Sequence, residues 1–416
     1  MGLGRKKQLT SVFRFWAPSL ENTVHRRPVW VKKICRQPTP ASITLEYKQR
    51  NISLDKRGIS SIKKTDSFYC ESVPNRLGEW TKTAKGQITH YFHPIVGQTK
   101  DIIDHKHSLP VTVVNGTNDG PTLLVIAGEH GNEYENIAAL QETLRDLDPK
   151  QINGRVVGIN CCSVDSYLHD MRVSKSDGLN LARCYPGLPN GKLTERIAFT
   201  LQRDFISQPE PYRPVCLIPL HTFGPSLIGA TLSGYNIYPD EPELTQKQHE
   251  MSLASGLPLV WGHEFDALSA ANTPLGHDNN GRTALYAAYL AGIPATYWET
   301  TWGMQGEEEY KRGLLRIMKY FNLLTGNPKK SSPRSEIKSV GHGSGNMASH
   351  NRAPCNGLWR PLVRVWDEVK AGDRLGEIRN LHGNVLDEVL ALQSGLVISI
   401  KRIQRIDRGS SCTIVL

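Results

Sequence analysis

The sequence predicts an α/β fold in which helices cover both faces of a sheet, followed by a small all-β domain. From about residue 88, short apolar runs typical of strands alternate with segments of helical periodicity. Residues 327–351 are then rich in Ser, Gly, Lys and Pro, as linkers are. Short apolar runs separated by turn residues follow. We therefore divide the chain into a basic, poorly ordered leader (1–87), an α/β domain (88–326), a linker (327–351) and a C-terminal β domain (352–416).

The individual elements follow from the same patterns. In the α/β domain we expect strands at 110–114, 121–127, 154–160, before His221 and at 294–298. We expect helices at 134–147, 194–207, 283–291 and 306–325. In the C-terminal domain we expect strands at 358–365, 373–378, 385–392, 395–400 and 412–416.

The positive charge of the chain is concentrated in the leader. Residues 1–87 hold 18 Lys and Arg against 6 Asp and Glu, whereas residues 88–416 hold 32 against 34. The net charge of +10 therefore does not indicate that residues 88–416 bind nucleic acid, and we expect no nucleic-acid partner. The first forty residues contain Glu21 as their only acid and loosely fit an organellar presequence, although a basic tail without function fits equally well.

Membrane insertion and secretion are disfavoured. No apolar stretch approaches the length of a bilayer span, and no signal-peptide pattern is present. The eight cysteines show no CxxC spacing and no regular framework. We therefore expect buried, reduced thiols and a cytoplasmic protein. Organellar targeting by the leader is the alternative location.

The most informative segment is Gly128-Glu129-His130-Gly131-Asn132-Glu133, directly after an apolar run at 122–127. The run predicts a buried parallel strand, so His130 and Glu133 would lie at its C-terminal end, where open α/β sheets place ligands. A His and a carboxylate three residues apart can reach one cation. The spacing alone is more often found in a solvated turn. Here the flanking glycines, the preceding strand and the following helix favour a metal site.

A third ligand is expected from His221. It follows the apolar stretch at 217–220 and lies far downstream of His130 and Glu133. Zinc sites in hydrolases commonly combine two His and one Glu with an open position for water.

Several ordered motifs resemble one known family. They are Ser108-Leu109-Pro110-Val111, the strand leading to Gly128–Glu133, Asp177–Gly187, Leu220-His221-Thr222 and Pro294–Glu299. Together they resemble the succinylglutamate desuccinylase/aspartoacylase family, a branch of the zinc carboxypeptidase-like hydrolases. The resemblance covers roughly residues 88 to 416 and implies a three-layer, mixed-sheet zinc-hydrolase domain followed by the small β domain.

The resemblance also implies roles for particular residues. It implies that His130, Glu133 and His221 bind one zinc ion. Glu299 would be the catalytic carboxylate, and Arg172 would polarise the substrate carbonyl. Arg183, with Asn180 in the same segment, would bind a substrate carboxylate, which suits the bidentate guanidinium group.

Two departures from the family pattern stand out. The usual Asn-Arg pair is Ala182-Arg183, which removes one hydrogen-bond donor to a substrate carboxylate. Pro219 stands two residues before His221, where the family often has Asp. Any support that this Asp gives to the metal site is therefore lost or comes from elsewhere.

These features predict a zinc-dependent amidohydrolase that cleaves the N-acyl group from an amino acid or a related small amine. The alternatives are carboxypeptidase-like cleavage of short peptides and a non-catalytic protein that binds zinc or a ligand. The expected partners are the small-molecule substrate and, as an open question, further copies of the chain. The acyl group and the amine are not specified by the sequence.

Overall fold

The computed structural model describes residues 80–98, 108–276, 281–303, 306–328, 331–341 and 351–416. The chain divides between Asp66 and Ser67, and all of the described residues belong to the second unit. Most of the predicted leader, and with it the proposed targeting sequence, lies outside the described residues.

A five-stranded mixed sheet forms the first half of the described fold. Its strands are β1 (Gln87–Pro94), β2 (Ser108–Asn115), β3 (Asn118–Ile126), β4 (Asn153–Ile159) and β5 (Pro214–Pro219). Their order is β1-β2-β4-β3-β5, in which β3 runs parallel to both β4 and β5 and the remaining pairs are antiparallel. The parallel setting predicted for the strand before His130 is therefore correct.

Helices pack on both faces of this sheet. In the described part of the chain the α-helices are α1 (Tyr134–Asp146), α2 (Val164–Leu168), α3 (Leu193–Leu201), α4 (Pro242–Ser255), α5 (Ala267–Asn272), α6 (Ala284–Leu290) and α7 (Glu307–Tyr320). The alternating residues of β3 separate two apolar cores. One core joins Leu124 and Ile126 to side chains of α3 and α6. The other joins Leu123 and Val125 to α1 and α7. A fully buried aliphatic side chain contributes about 1.5–3 kcal/mol, so both faces stabilise the sheet.

A second sheet continues the fold beyond β5. The next strands are β6 (Leu227–Gly229), β7 (Leu232–Ile237), β8 (Leu259–Glu264), β9 (Tyr297–Glu299) and β10 (Ser335–Ser339). The sheet has the order β10-β8-β7-β9. Two parallel bridges, Leu217 with Ala295 and Leu220 with Trp298, connect β5 to the β9 segment. Part of the range predicted as a linker is therefore regular, because β10 pairs with β8.

Among the described residues of the C-terminal segment, all of the regular secondary structure is β-strand. The strands are β11 (Gly357–Pro361), β12 (Glu368–Val369), β13 (Arg374–Arg379), β14 (Val385–Leu390), β15 (Gly395–Lys401), β16 (Arg405–Ile406) and β17 (Thr413–Val415). One sheet has the order β14-β13-β11-β16, and the other contains β12, β15 and β17. Strand β6 of the preceding domain pairs with β15, so this segment also shares backbone hydrogen bonds with the α/β part.

The predicted helix at 194–207 is not uniform. The α-helical part ends at Leu201, and Gln202–Ile206 form a π-helical turn that buries Phe205 and Ile206. Trp80, which lies within the range predicted as leader, packs against Phe205 in the core on that side of the sheet.

In the described part of the chain, no helix combines the length and apolar character needed to cross a membrane. Six of the cysteines are described, and all six are free thiols. They are Cys161, Cys162, Cys184, Cys216, Cys355 and Cys412.

Candidate active site

The three candidate metal ligands lie at the carboxyl ends of two neighbouring strands. His130 and Glu133 lie between β3 and α1, and His221 follows β5. Because β3 and β5 are parallel, with Ile126 opposite Pro219, their C-terminal ends meet at one edge of the sheet. Strand pairing thus brings together ligands that are far apart in the sequence.

The two glycines beside His130 are required by the path of the loop. Gly128 has a φ of +66°, in the left-handed region that favours glycine. At Gly131, a Cβ atom would lie 2.0 Å from the backbone carbon of Ser166 in α2. Only glycine permits this close approach of the His130 loop to α2.

The ligand atoms converge on Glu133. Nδ1 of His130 lies 2.8 Å from its Oε1, and Nδ1 of His221 lies 3.3 Å from its Oε2. All three side chains are buried, and their candidate ligand atoms lie within 4.8 Å of one another. Glu133 is also the N-cap residue of α1, yet its side chain makes no capping hydrogen bond because it faces the site.

The far side of each imidazole has its own acceptor. Nε2 of His130 lies 3.1 Å from Oδ1 of Asn180, which also accepts the backbone N–H of Ala182. Nε2 of His221 lies 2.9 Å from Oε2 of Glu129. With the proton of each metal-bound ring on Nε2, Nδ1 would be available to a metal. Asn180, predicted as a substrate-binding residue, thus contacts a candidate ligand.

The electrostatics of the three side chains favour a bound cation. Burial and the positive charge of Arg172 lower the pKa of His130 to about 4, so its ring is neutral at pH 7. Burial opposes ionisation of Glu133, but His130 and His221 hold its pKa well below the usual range. Burial also disfavours a charged His221, yet Glu129 and Glu133 raise its pKa to about 10. The carboxylates therefore stabilise positive charge where the imidazoles meet.

Glu299 is a buried carboxylate at the end of β9. It is 8% exposed, and within the described part of the chain its Oε2 has no hydrogen-bond partner. Burial raises its pKa to about 8. A carboxyl group that titrates near neutral pH and has one oxygen free is suited to proton transfer.

Two arginines line the same cavity. Nη1 of Arg172 donates a hydrogen bond to Oε1 of Glu133 at 2.9 Å, and 49% of this side chain is exposed. Arg183 ends the 3-10 turn Leu181–Arg183, and its Nη1 donates to the carbonyl oxygen of Ala182 at 2.8 Å. Arg172 therefore contacts a candidate ligand directly, whereas Arg183 lies in the segment that also holds Asn180.

The cavity that these residues share is small, about 120 Å³. Five of the seven predicted site residues line it, and the other two, Glu133 and Asn180, contact His130. The cavity also includes residues that the sequence motifs did not reveal. Its lining includes Glu129, His130, Arg172, Arg183, His221, Asn236, His263, Tyr297 and Glu299. A larger cavity of about 700 Å³ lies at the opposite ends of β3 and β5, and it contains none of the predicted site residues.

His263 and Glu129 could have been found in the sequence. His263 follows the apolar run at 257–262, as His130 and His221 follow theirs. Glu129 stands inside the motif between Gly128 and His130. Asn236 carries no comparable signal in the sequence. It lies within β7, and the position of β7 depends on its pairing with β8, a segment distant in the sequence.

Comparison with known proteins supports the interpretation of the motifs. Residues 119–214 match the family model of the succinylglutamate desuccinylase/aspartoacylase catalytic domain. Over 166 residues the chain is 32% identical to N-alpha-acetyl-L-2,4-diaminobutyric acid deacetylase from Halomonas elongata. This alignment covers 40% of the chain and 46% of that relative, so it spans less than half the length of the deacetylase.

Solved structures share the fold at lower sequence identity. The succinylglutamate desuccinylase/aspartoacylase from Rhodobacter sphaeroides has a TM-score of 0.63 and 23% identity, over 79% of this chain and 94% of that one. The ectoine utilization protein EutE (DoeB) from Ruegeria pomeroyi has a TM-score of 0.65 and 21% identity, over 80% of this chain and 97% of that one. Together, the catalytic-domain match and these neighbours confirm the resemblance of this chain to the succinylglutamate desuccinylase/aspartoacylase family.

Proposed function

We propose that this protein is a zinc-dependent amidohydrolase that removes the N-acyl group from an amino acid or a related small amine. The observation that carries the proposal is the convergence of His130, Glu133 and His221, beside a small cavity that the buried Glu299 also lines. The partial similarity to a diaminobutyrate deacetylase supports amide deacylation as the reaction. We also propose that the α/β domain has the three-layer organisation of this hydrolase family.

The residues present fit a zinc ion. His130, Glu133 and His221 would hold it, because both Nδ1 atoms and the carboxylate face one point and the other ring nitrogens are already engaged. Two His and one Glu leave a fourth position open, as in catalytic zinc sites. When bound, zinc would supply Lewis acidity and lower the pKa of the attacking water.

Glu299 would move the proton. Glu299 lines the cavity and its Oε2 makes no hydrogen bond within the described part of the chain, so this oxygen would accept a proton from water as the new carbon–oxygen bond forms. The same oxygen would then donate this proton to the amine nitrogen as the carbon–nitrogen bond breaks. Its raised pKa suits both steps, because a group that titrates near neutral pH can accept and release a proton with similar ease.

The arginines would orient the substrate. Arg183 lines the cavity and offers a guanidinium group for a substrate carboxylate, while Ala182 beside it provides no side-chain donor. Arg172 would polarise the amide carbonyl from its position beside Glu133. Asn180 would contribute by orienting His130. The small volume of the cavity favours a small N-acyl amino acid over a peptide.

The proposal is tested with the full-length protein and a panel of amides. N-acetyl, N-succinyl and N-formyl amino acids, N-acetyl-2,4-diaminobutyrate and short dipeptides are incubated with the zinc-loaded protein, and the released amine is measured. We expect turnover of at least one N-acyl amino acid and about one zinc per chain by elemental analysis, which H221A should lose. Cleavage of dipeptides alone would favour carboxypeptidase-like activity instead. Binding without release of acid would indicate a binding protein.

A further inference from the structure

Glu129 is a buried carboxylate that the proposed reaction does not use. It lies between Gly128 and His130 in the loop after β3, and 1% of it is exposed. Both of its oxygens are engaged. Oε1 accepts a hydrogen bond from the hydroxyl of the fully buried Tyr185 at 2.7 Å, and Oε2 lies 2.9 Å from Nε2 of His221.

The contact with His221 determines which ring nitrogen faces the metal site. An ionised carboxylate only accepts hydrogen bonds, so Nε2 of His221 must carry the proton. A ring that binds a metal keeps only one proton, and with that proton on Nε2 the lone pair is on Nδ1, the atom 3.3 Å from Glu133. A contact of this kind fixes the tautomer and the orientation of a metal-binding imidazole and makes it a stronger ligand.

The carboxylate that contacts His221 does not come from the strand that precedes His221. Two residues before His221 stands Pro219, whose side chain can neither donate nor accept a hydrogen bond. Glu129 reaches His221 from the end of the neighbouring strand β3, because Ile126 pairs with Pro219 across the sheet. The residue next to the first candidate ligand thus supports the third one.

We propose that Glu129 is a positioning residue for the metal centre: it holds His221 with Nδ1 towards the metal, and Tyr185 holds Glu129. This inference rests on the proposed metal site. A purely structural alternative is that Glu129 serves only to satisfy the buried hydroxyl of Tyr185. Zinc affinity distinguishes the two alternatives, because it depends on Glu129 only if Glu129 positions His221.

The test measures zinc binding by competition with a chromophoric chelator in the full-length protein and its variants. We expect E129A to weaken zinc binding by about 10- to 100-fold, the usual cost of losing a partner of a metal-binding histidine. E129Q should show a smaller loss, since its amide oxygen still accepts the Nε2–H without the negative charge. In both variants the visible spectrum of the cobalt(II)-substituted protein should change, because it reports the arrangement of the ligands.

Matched variants separate this role from general stability. E135A removes another buried carboxylate, which accepts the backbone N–H of Gly303, and it should leave zinc affinity unchanged. Y185F should weaken zinc binding less than E129A, because it removes only the support of Glu129. Thermal melting of each variant measures its folding separately from its zinc affinity.

The outcomes distinguish the two proposals. If the wild type binds zinc and H221A does not, but E129A and E129Q both match the wild type in affinity and cobalt spectrum, the role of Glu129 is refuted and the metal site stands. Should E129A fail to fold, unchanged values in E129Q alone refute it. If the wild type binds no zinc, the metal site is wrong and this inference falls with it.

Discussion

The backbone N–H of His221 donates a hydrogen bond to the carbonyl oxygen of Trp298 at 2.8 Å. Glu299 is the next residue in the chain, so this bond places the candidate base beside the candidate third ligand. The N–H of Leu220 in turn donates to the carbonyl oxygen of Ile126 at 2.8 Å, just before the loop of His130. Three strand ends are thereby aligned, and each delivers one part of the site.

Replacing Glu299 with Gln should separate metal binding from turnover. The amide keeps the size of the side chain but cannot take up the proton, so we expect the turnover rate to fall by roughly a hundredfold or more. Zinc content should stay at the wild-type level, because Glu299 is not among the three candidate ligands. Steady-state kinetics and elemental analysis on the same preparation provide both readouts.

A suitable control is E308Q, which changes an exposed glutamate of α7 and should leave both quantities unchanged. If E299Q kept a near-normal rate with an unchanged pH profile, Glu299 could not be the proton-transfer group. Loss of zinc together with activity would instead show that Glu299 helps to bind the metal.

The candidate ligands are predictable from the sequence because local pattern and chemistry agree there. His130, Glu133 and His221 each come after an apolar strand, and the pairing of β3 with β5 brings the two strand ends together. The support for His221 was harder to predict, because Glu129 acts across the sheet and carries no signal of its own beyond its place in the motif.

Arg183 should recognise a carboxylate on the substrate. We expect R183A to lose about 2–5 kcal/mol of transition-state stabilisation towards N-acyl amino acids, the cost of removing one partner of a buried charge pair. Matched substrates in which the carboxylate is replaced by a neutral amide should lose much less. The ratio of kcat/KM between acid and amide, measured in wild type and R183A, isolates this interaction.

R213A provides a matched control, because this arginine lines the larger cavity at the other ends of the strands. It should leave the acid-to-amide ratio unchanged. An equal ratio in wild type and R183A would show that Arg183 does not bind the carboxylate, and would favour an amine substrate without one.

The limits of sequence patterns are clearest where segments pair over a distance. Strand β10 lies in a stretch whose composition indicates a linker, yet it pairs with β8. Its exposed and half-buried residues give no apolar signal, because β10 is an edge strand. In the C-terminal segment, by contrast, turn residues bound each strand locally, and the five predicted strands are present.

Trp80 should be required for the stability of the fold. Its ring stacks on Phe205 with centroids 6.2 Å apart and meets the ring of Tyr212 edge-on at 5.5 Å. Its Nε1 also donates a hydrogen bond to the carbonyl oxygen of Asp204 at 2.8 Å. We expect W80A to reduce the free energy of unfolding by about 3–5 kcal/mol, as for other buried aromatic residues.

Urea denaturation of W80A and of Q87A, a change at an exposed position of β1, tests this expectation. Q87A should lie within about 0.5 kcal/mol of the wild type, as is usual for surface substitutions. A stability of W80A equal to that of Q87A would mean that Trp80 does not belong to the core in solution.

His263 should make the protein less stable in mild acid. Burial lowers the pKa of its ring from 6.5 to about 4, and the ring lies beside those of Trp261 and Tyr297. Between these two pKa values the unfolded chain binds a proton that the folded protein does not. The cost to stability is therefore absent above about pH 6.5, grows as the pH falls, and is complete below about pH 4.

The variant H263F should remove this dependence, because phenylalanine keeps an aromatic ring in place without a titrating group. Urea denaturation is measured at pH 7.5 and pH 5 in the presence of a chelator, so that metal release does not contribute. Each unit of pKa difference is worth about 1.4 kcal/mol. Because the ring is partly exposed, we expect less than the full effect. From pH 7.5 to pH 5, the free energy of unfolding of H263F should fall by about 1–2 kcal/mol less than that of the wild type. H382Q, a change at an exposed histidine, should behave as the wild type does. Equal losses in H263F and the wild type would show that His263 binds its proton as readily in the folded protein as in the unfolded chain.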